Sequence, residues 1–298
     1  SSPEARMAKH DRFSPAITWR AFFILGSLSA SVFAARPSNA PPELAQVGLP
    51  DAAEVARILV QFRQTDIAGD YFLDFELRSL PRRGEEKSFQ GKMWGSRNTE
   101  GSITRVALKG SDALEQRLLV QNGGRAVVWR LVDQRVAELD VAKLFEPVVP
   151  GVNLTAFDLQ MPFLYWPGVT LEKIARMRGR PAHVFIFRPP ATFAAKNPEV
   201  GAVRAYLDTQ YNAPTQIETI GKDGRVTKTL SLLDLKKVGE QWIPKSFEVR
   251  DEVTRDKTRL TVSAAALHLA LPSGLFTPAG LNAAVPPLAA DRIVTLAP

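Results

Sequence analysis

The spacing of apolar residues changes period near residue 70. Before that point, Asp51 and Glu54 match a capping box, and Val55, Ile58, Leu59 and Phe62 recur at helical spacing, which predicts an amphipathic helix opening at Asp51. From Tyr71 the period becomes two. Tyr71, Leu73, Phe75 and Leu77 fall on one face and Asp74, Glu76 and Arg78 on the other, the pattern of a half-buried strand. Similar runs occupy 88–96, 103–109 and 114–120, and Asn122-Gly123-Gly124 turns the chain into 125–132. Between 139 and 167 alternation breaks down while prolines and aromatics accumulate, and 154–165 reads as a short helical segment interrupted near Pro162, able to lie across a sheet. Strands resume at 171–177 and, after Arg178-Gly179-Arg180, at 183–188; residues 189–198 read as a surface loop. The last third predicts successive hairpins at 203–210, 215–220, 226–235, 241–250 and 258–269.

Roughly ten short strands with few helices leave a sandwich or a closed or nearly closed barrel, because an open sheet of that size curls to protect its edges. A barrel filled by a helical lid carrying Phe157, Phe163, Tyr165 and Trp166, in place of a solid core, can also take an apolar ligand.

Composition adds limits. A chain of 298 residues with 45% hydrophobic content can bury one large core. At the start, Lys9, Arg12 and Arg20 precede an apolar run over 21–32, too short to span a bilayer comfortably, and Val32-Phe33-Ala34 supplies small-residue cleavage chemistry. Residues 1–34 therefore read as a cleavable export signal starting at Met7 and cut after Ala34, with an uncleaved anchor as the alternative, and the protein is expected in the periplasm. Residues 35–50 read as a linker, 51–284 as the folded domain, and 285–298, rich in Ala and Pro, as a loose C-terminal tail. The absence of cysteine excludes a lipobox, disulfides and thiolate chemistry. Net charge is +7, with the basic residues scattered, so nucleic acid is not an expected partner.

Candidate chemistry is sparse. His183 and His268 sit in separate strand patterns without a second ligand at metal spacing, so no metal site is expected. A serine elbow, a P-loop and a strand-linked glycine fingerprint are all missing, and no cofactor is implied. Asp158, between Phe157 and Leu159, reads as a helix-start residue whose carboxylate meets free backbone N–H groups, in preference to a catalytic acid. An enzyme is not expected. The strand tryptophans Trp94, Trp129 and Trp242 and the lid's Trp166 serve either as core filling or as ligand contacts.

The order of several short motifs resembles the LolA-like outer-membrane lipoprotein-sorting proteins, from about Asp51 to Leu281. These motifs are Leu154-Thr155-Ala156-Phe157-Asp158-Leu159, Arg178-Gly179-Arg180-Pro181-Ala182-His183-Val184, Ala205-Tyr206-Leu207-Asp208, the strand–Asp-Gly–strand stretch at 214–228, Gln241-Trp242-Ile243-Pro244 and Gly274-Leu275-Phe276-Thr277. The resemblance implies a mainly β fold, an incomplete antiparallel β-barrel with an N-terminal helix and a short helical lid. It also implies a periplasmic carrier or chaperone that holds lipoprotein acyl chains or another lipid in an apolar cavity, between an inner-membrane transporter and an outer-membrane acceptor. A non-transporting regulatory or scaffold module of the same fold, recognising a lipoprotein or a protein partner, is the alternative. Strand parity gives candidate wall residues Leu73, Phe75, Met93, Trp129, Phe185, Phe187, Tyr206 and Trp242, with Phe157, Phe163 and Trp166 from the lid. No arginine can be assigned as the lid's latch.

Overall fold

The computed structural model describes residues 48–64, 66–110, 115–211 and 213–297. The export signal, its cleavage site and most of the linker, together with Leu114, lie outside the described residues. The Asp51 carboxylate accepts a hydrogen bond from the Glu54 backbone N–H at 2.8 Å, and helix α1 (Ala52–Gln64) follows, with Ile58, Leu59 and Phe62 buried.

The first strand group is β1 (Asp70–Leu80), β2 (Lys87–Arg97), β3 (Ser102–Lys109), β4 (Glu115–Gln121), β5 (Val127–Val132) and β6 (Arg135–Glu138). After an irregular stretch containing α2 (Ala156–Gln160) come β7 (Gly168–Met177), β8 (Arg180–Arg188), the short helix α3 (Ala191–Lys196), β9 (Val200–Asp208) and β10 (Pro214–Gly221). The chain continues through β11 (Val226–Val238), β12 (Gln241–Asp251) and β13 (Lys257–Leu269) to β14 (Val294–Thr295). These fourteen strands make one sheet, ordered β6-β5-β4-β3-β2-β1-β13-β12-β11-β10-β9-β8-β7, with β14 beside β13. All its pairings are antiparallel. The sheet therefore curls without closing, and its two end strands, β6 and β7, are joined by residues 139–167, which fill the concave side.

Period-two burial positions that core. Tyr71, Leu73, Phe75 and Leu77 of β1 share it with Val106, Leu118, Phe185, Val203 and Ile243. Burial pushes the Tyr71 phenol above its ordinary pKa. Two glycines make room for the inward rings of β1. A Cβ on Gly91 would lie 2.2 Å from the Phe75 ring, and one on Gly95 would lie 2.0 Å from that of Tyr71, each glycine being the register partner of the aromatic it accommodates.

Three expectations need correction. Strand β6 was not anticipated, because its hairpin turns on Asp133 and Gln134, both at positive φ, where a glycine-containing dipeptide would have signalled a tight turn. The 189–198 loop contains α3, whose Phe193 is buried in the core. The supposed loose tail is ordered: Val285, Leu288 and Ile293 pack on Phe72 and Trp94 on the side of β1 and β2 away from the main core. Leu281 joins Ile103 and Leu119 on that same convex side.

The physical reasons for the ordered tail lie in partners remote in sequence. Arg105, only 1% exposed, donates from Nη1 to the Gly280 carbonyl at 2.8 Å and from Nη2 to that of Ala283 at 2.6 Å. Its guanidinium also lies 5.9 Å from the centre of the Trp94 ring. Further on, β12 pairs with β13 only from Ser246↔Thr261 to Arg250↔Lys257, so beyond Thr261 strand β13 lacks that neighbour. Val294 and Thr295 take up Ala265 and Ala264 there, Lys245 Nζ donates to the Ala297 carbonyl, and Leu296 enters the main core.

Candidate functional site

The concave face and the segment 139–167 form one apolar unit. Thr155 caps α2 in a reciprocal box: its backbone N–H and its hydroxyl both donate to Asp158 Oδ2, at 2.9 and 2.7 Å. Asp158 is thus the helix-start residue that its sequence context suggested. Met161 in the left-handed conformation ends α2, and Pro162 starts a 3-10 turn that brings Phe163 and Leu164 into the interior. The aromatic side chains then lock together. Phe157 stacks on Phe145 with ring centres 4.4 Å apart, Phe163 meets Phe187 of the wall edge-on at 5.2 Å, and Trp166 lies 4.8 Å from Phe193 of α3.

Polar contacts fix this lid from several directions. Lys228 Nζ, reaching in from β11, pairs with Asp158 Oδ2 at 3.0 Å, and the side chains retain only 15% and 6% of their exposure. Arg63 of α1 donates from Nε to the Leu164 carbonyl at 2.7 Å, with its guanidinium 5.4 Å from the centre of the Tyr165 ring. Gln160 Nε2 donates to the Gln121 carbonyl at 3.1 Å. The lid therefore grips wall, helix and hairpin.

The lid occupies the space it covers. Between Phe157, Phe163, Ile217 and Lys228 only a void of about 10 Å³ remains. A larger cleft of about 730 Å³ opens beside the lid, where Leu139, Tyr165, Trp166 and Phe193 meet Gly123 and Gly124. It is a mouth between the β4–β5 turn and α3, beside the packed lid.

Eight of the eleven predicted contact residues meet in this core: Leu73, Phe75, Met93, Phe157, Phe163, Trp166, Phe185 and Phe187. The other three do not line it. Trp129 packs with Leu119 and Leu281 on the convex side, because Val128 takes the inward position of β5. Tyr206 is on the polar side of β9, its hydroxyl 3.4 Å from Glu218 Oε2, while Ala205 and Leu207 face inward. Trp242 is 64% exposed, since the next residue, Ile243, is the buried one. In each strand a smaller neighbouring side chain occupies the inside.

Lys228, Arg63, Phe145 and Phe193 contribute to the site without having been predicted. Lys228 left a signal: it shares its face of β11 with inward Leu230, a lone cation at an inward position. Arg63, at the end of the amphipathic helix α1, left none. Among the described residues no three His, Cys, Asp or Glu side chains gather as a metal cage, and no helix is long and apolar enough to cross a membrane.

Comparison with solved structures finds the same fold in proteins of low sequence identity. A domain ascribed to outer membrane lipoprotein sorting in Vibrio parahaemolyticus superposes with a TM-score of 0.64 at 16% identity, covering 75% of this chain and 97% of its own. A DUF1329 family protein from Desulfovibrio piger gives 0.65 at 14% identity, over 77% and 98% of the two chains. A LolA superfamily protein from Nitrosomonas europaea gives 0.59 at 14% identity, over 74% and 96%. The chain has the LolA-like fold, a mainly β incomplete barrel. A family model described as an uncharacterized protein matches residues 169–283, and no curated protein matches in sequence.

Proposed function

We propose that this protein is a periplasmic carrier or chaperone, not an enzyme, and that it takes up the acyl chains of lipoproteins, or of another lipid, on the concave face as the lid swings out. The observation that carries this reading is the extensive apolar contact between sheet and lid, which surrounds the buried ion pair Lys228–Asp158. A surface of this kind, once uncovered, gains about 0.8 kcal/mol per buried methylene, so a long chain can replace the lid's aromatic rings without any covalent step. An export signal at 1–34 and transfer between an inner-membrane transporter and an outer-membrane acceptor complete the proposed cycle. In this reading residues 51–297 are the working domain, the Ala- and Pro-rich C-terminal stretch included.

Native mass spectrometry of the protein isolated from an envelope fraction tests the reading. Co-purifying lipid is expected, and it should diminish when Phe163 and Trp166 are replaced by polar residues. Repeatedly empty protein would count against a carrier. The tight closure of the lid on the wall at Phe157, Phe163 and Ile217 favours a second reading, a regulatory or scaffold module that recognises a lipoprotein or protein partner with the lid shut. A stable protein partner recovered from the same fraction without lipid would support the module.

A further inference from the structure

From the facing pattern of β7 we infer that two copies of this chain associate edge to edge through that strand, an inference that stands whether or not the trough takes an acyl chain. Strand β7 ends the sheet and pairs with β8 alone, so its other edge has no strand beside it. The register places its side chains. Val169 and Leu171 pack on the core beside Phe187 and Phe185, their partners in β8. Thr170 lies opposite Ile186 on the outer face, where Ile186 joins Ala202 and Ile220.

A bulge then shifts the alternation. The pairing steps from Leu171↔Phe185 to Lys173↔Val184, which leaves Glu172 as the extra residue. Glu172 Oε2 lies 3.4 Å from Nε of Arg204, the register partner of Ile186 in β9, so it too faces outward. Lys173 is on the outer face with Val184, and Ile174 returns to the inner face opposite His183. Residues 169–176 therefore read in, out, in, out, out, in, out, in.

Opposed residues of an antiparallel pair share a face of the sheet. The register that overlaps all ten residues of β7 with those of a second copy is centred between Glu172 and Lys173, and it obeys that rule on both sides of the bulge. Sliding one strand by one or two residues in either direction breaks it. In this register the two bulges oppose each other. Leu171 meets Ile174 of the second copy on the inner face and Glu172 meets Lys173 of the second copy on the outer face, each twice through the two-fold axis. The charges agree as well. Arg204 lies between Glu172 and Glu218, at 3.4 and 2.9 Å, so one cation serves two carboxylates. Lys173 is exposed and has no carboxylate partner among the described residues. A lysine and a bulge ordinarily guard an edge against foreign strands. Here the same guard is complementary to itself, which makes a second copy the fitting occupant.

The test is sedimentation velocity of the whole chain over a range of concentrations. Strand pairing is narrower than the standard interface of about 1,600 Å², so a weak, concentration-dependent dimer is expected. Lys173→Glu sets two like-charged pairs where two opposite ones stood and should raise the dimer dissociation constant by about tenfold. Glu172→Lys should do the same. Mixed together, the two variants regain opposite charges at both pairs, so the mixture should dimerise where neither variant does alone. Both positions are exposed and Arg204 keeps Glu218, so unchanged thermal unfolding is expected of each variant. Cysteines read the register directly, since the chain has none of its own. Thr170→Cys mixed with Ala175→Cys should form a disulfide on oxidation, whereas neither alone should, because identical residues at these positions lie about 17 Å apart across the pair. A monomer at every concentration, a dimer indifferent to the charge variants, a mixture that fails to associate, or cross-linking of either cysteine variant with itself would each overturn the inference.

Discussion

Lys228 and Asp158 meet where wall and lid touch, and the carboxylate also accepts from the backbone and hydroxyl of Thr155. Removing one member of a buried pair leaves the other charged and poorly solvated, which costs about 3–5 kcal/mol. Lys228→Met should therefore lower unfolding stability in urea by about that amount, and adding Asp158→Asn should recover part of the loss. A single variant as stable as wild type would show that the pair does not hold the lid. Gly91 makes a second prediction. An alanine methyl there runs into the Phe75 ring, so Gly91→Ala should cost about 1–3 kcal/mol in thermal unfolding. Shrinking the ring with Phe75→Leu should reduce the penalty of the glycine change.

At the scale of elements, the convex strap shows what one sequence discloses and what it does not. Strand alternation was legible because each strand's own residues carry it: the inward set Tyr71, Leu73, Phe75 and Leu77 could be read directly, as could the aromatic lid of Phe157, Phe163 and Trp166. Order in 285–297 could not be read, because it comes from Arg105 and from the stretch of β13 that β12 leaves unpaired, both far away in sequence. Trp129, Tyr206 and Trp242 misled for a related reason. In each of these strands the parity set by the large aromatic is one residue out of phase, and Val128, Ala205 and Ile243 are the inward side chains. Arg105→Leu tests the strap: it removes the donors to the Gly280 and Ala283 carbonyls while keeping an apolar side chain on Trp94. Amide exchange over 280–296 should accelerate, with little change in β7 to β10. Uniform protection in the variant would mean that the apolar contacts of Leu281, Val285 and Ile293 suffice.

For the whole molecule, the tight packing of lid on wall makes the proposed binding of an acyl chain and the movement of the lid one event. The chain must outweigh a buried ion pair and a set of packed rings, and at about 0.8 kcal/mol per methylene this requires a long hydrocarbon, so short fatty acids should bind poorly. Trp166, at the wide cleft beside the lid and only 5% exposed, is the reporter nearest the proposed path, while Trp242 is exposed outside the trough. The most direct measurement is fluorescence quenching by a long-chain fatty acid brominated along its chain, compared among wild type, Trp166→Phe and Trp242→Phe. Saturable quenching that Trp166→Phe largely abolishes and Trp242→Phe leaves intact is the predicted result. No quenching, or quenching indifferent to Trp166, would contradict an acyl chain entering beneath the lid.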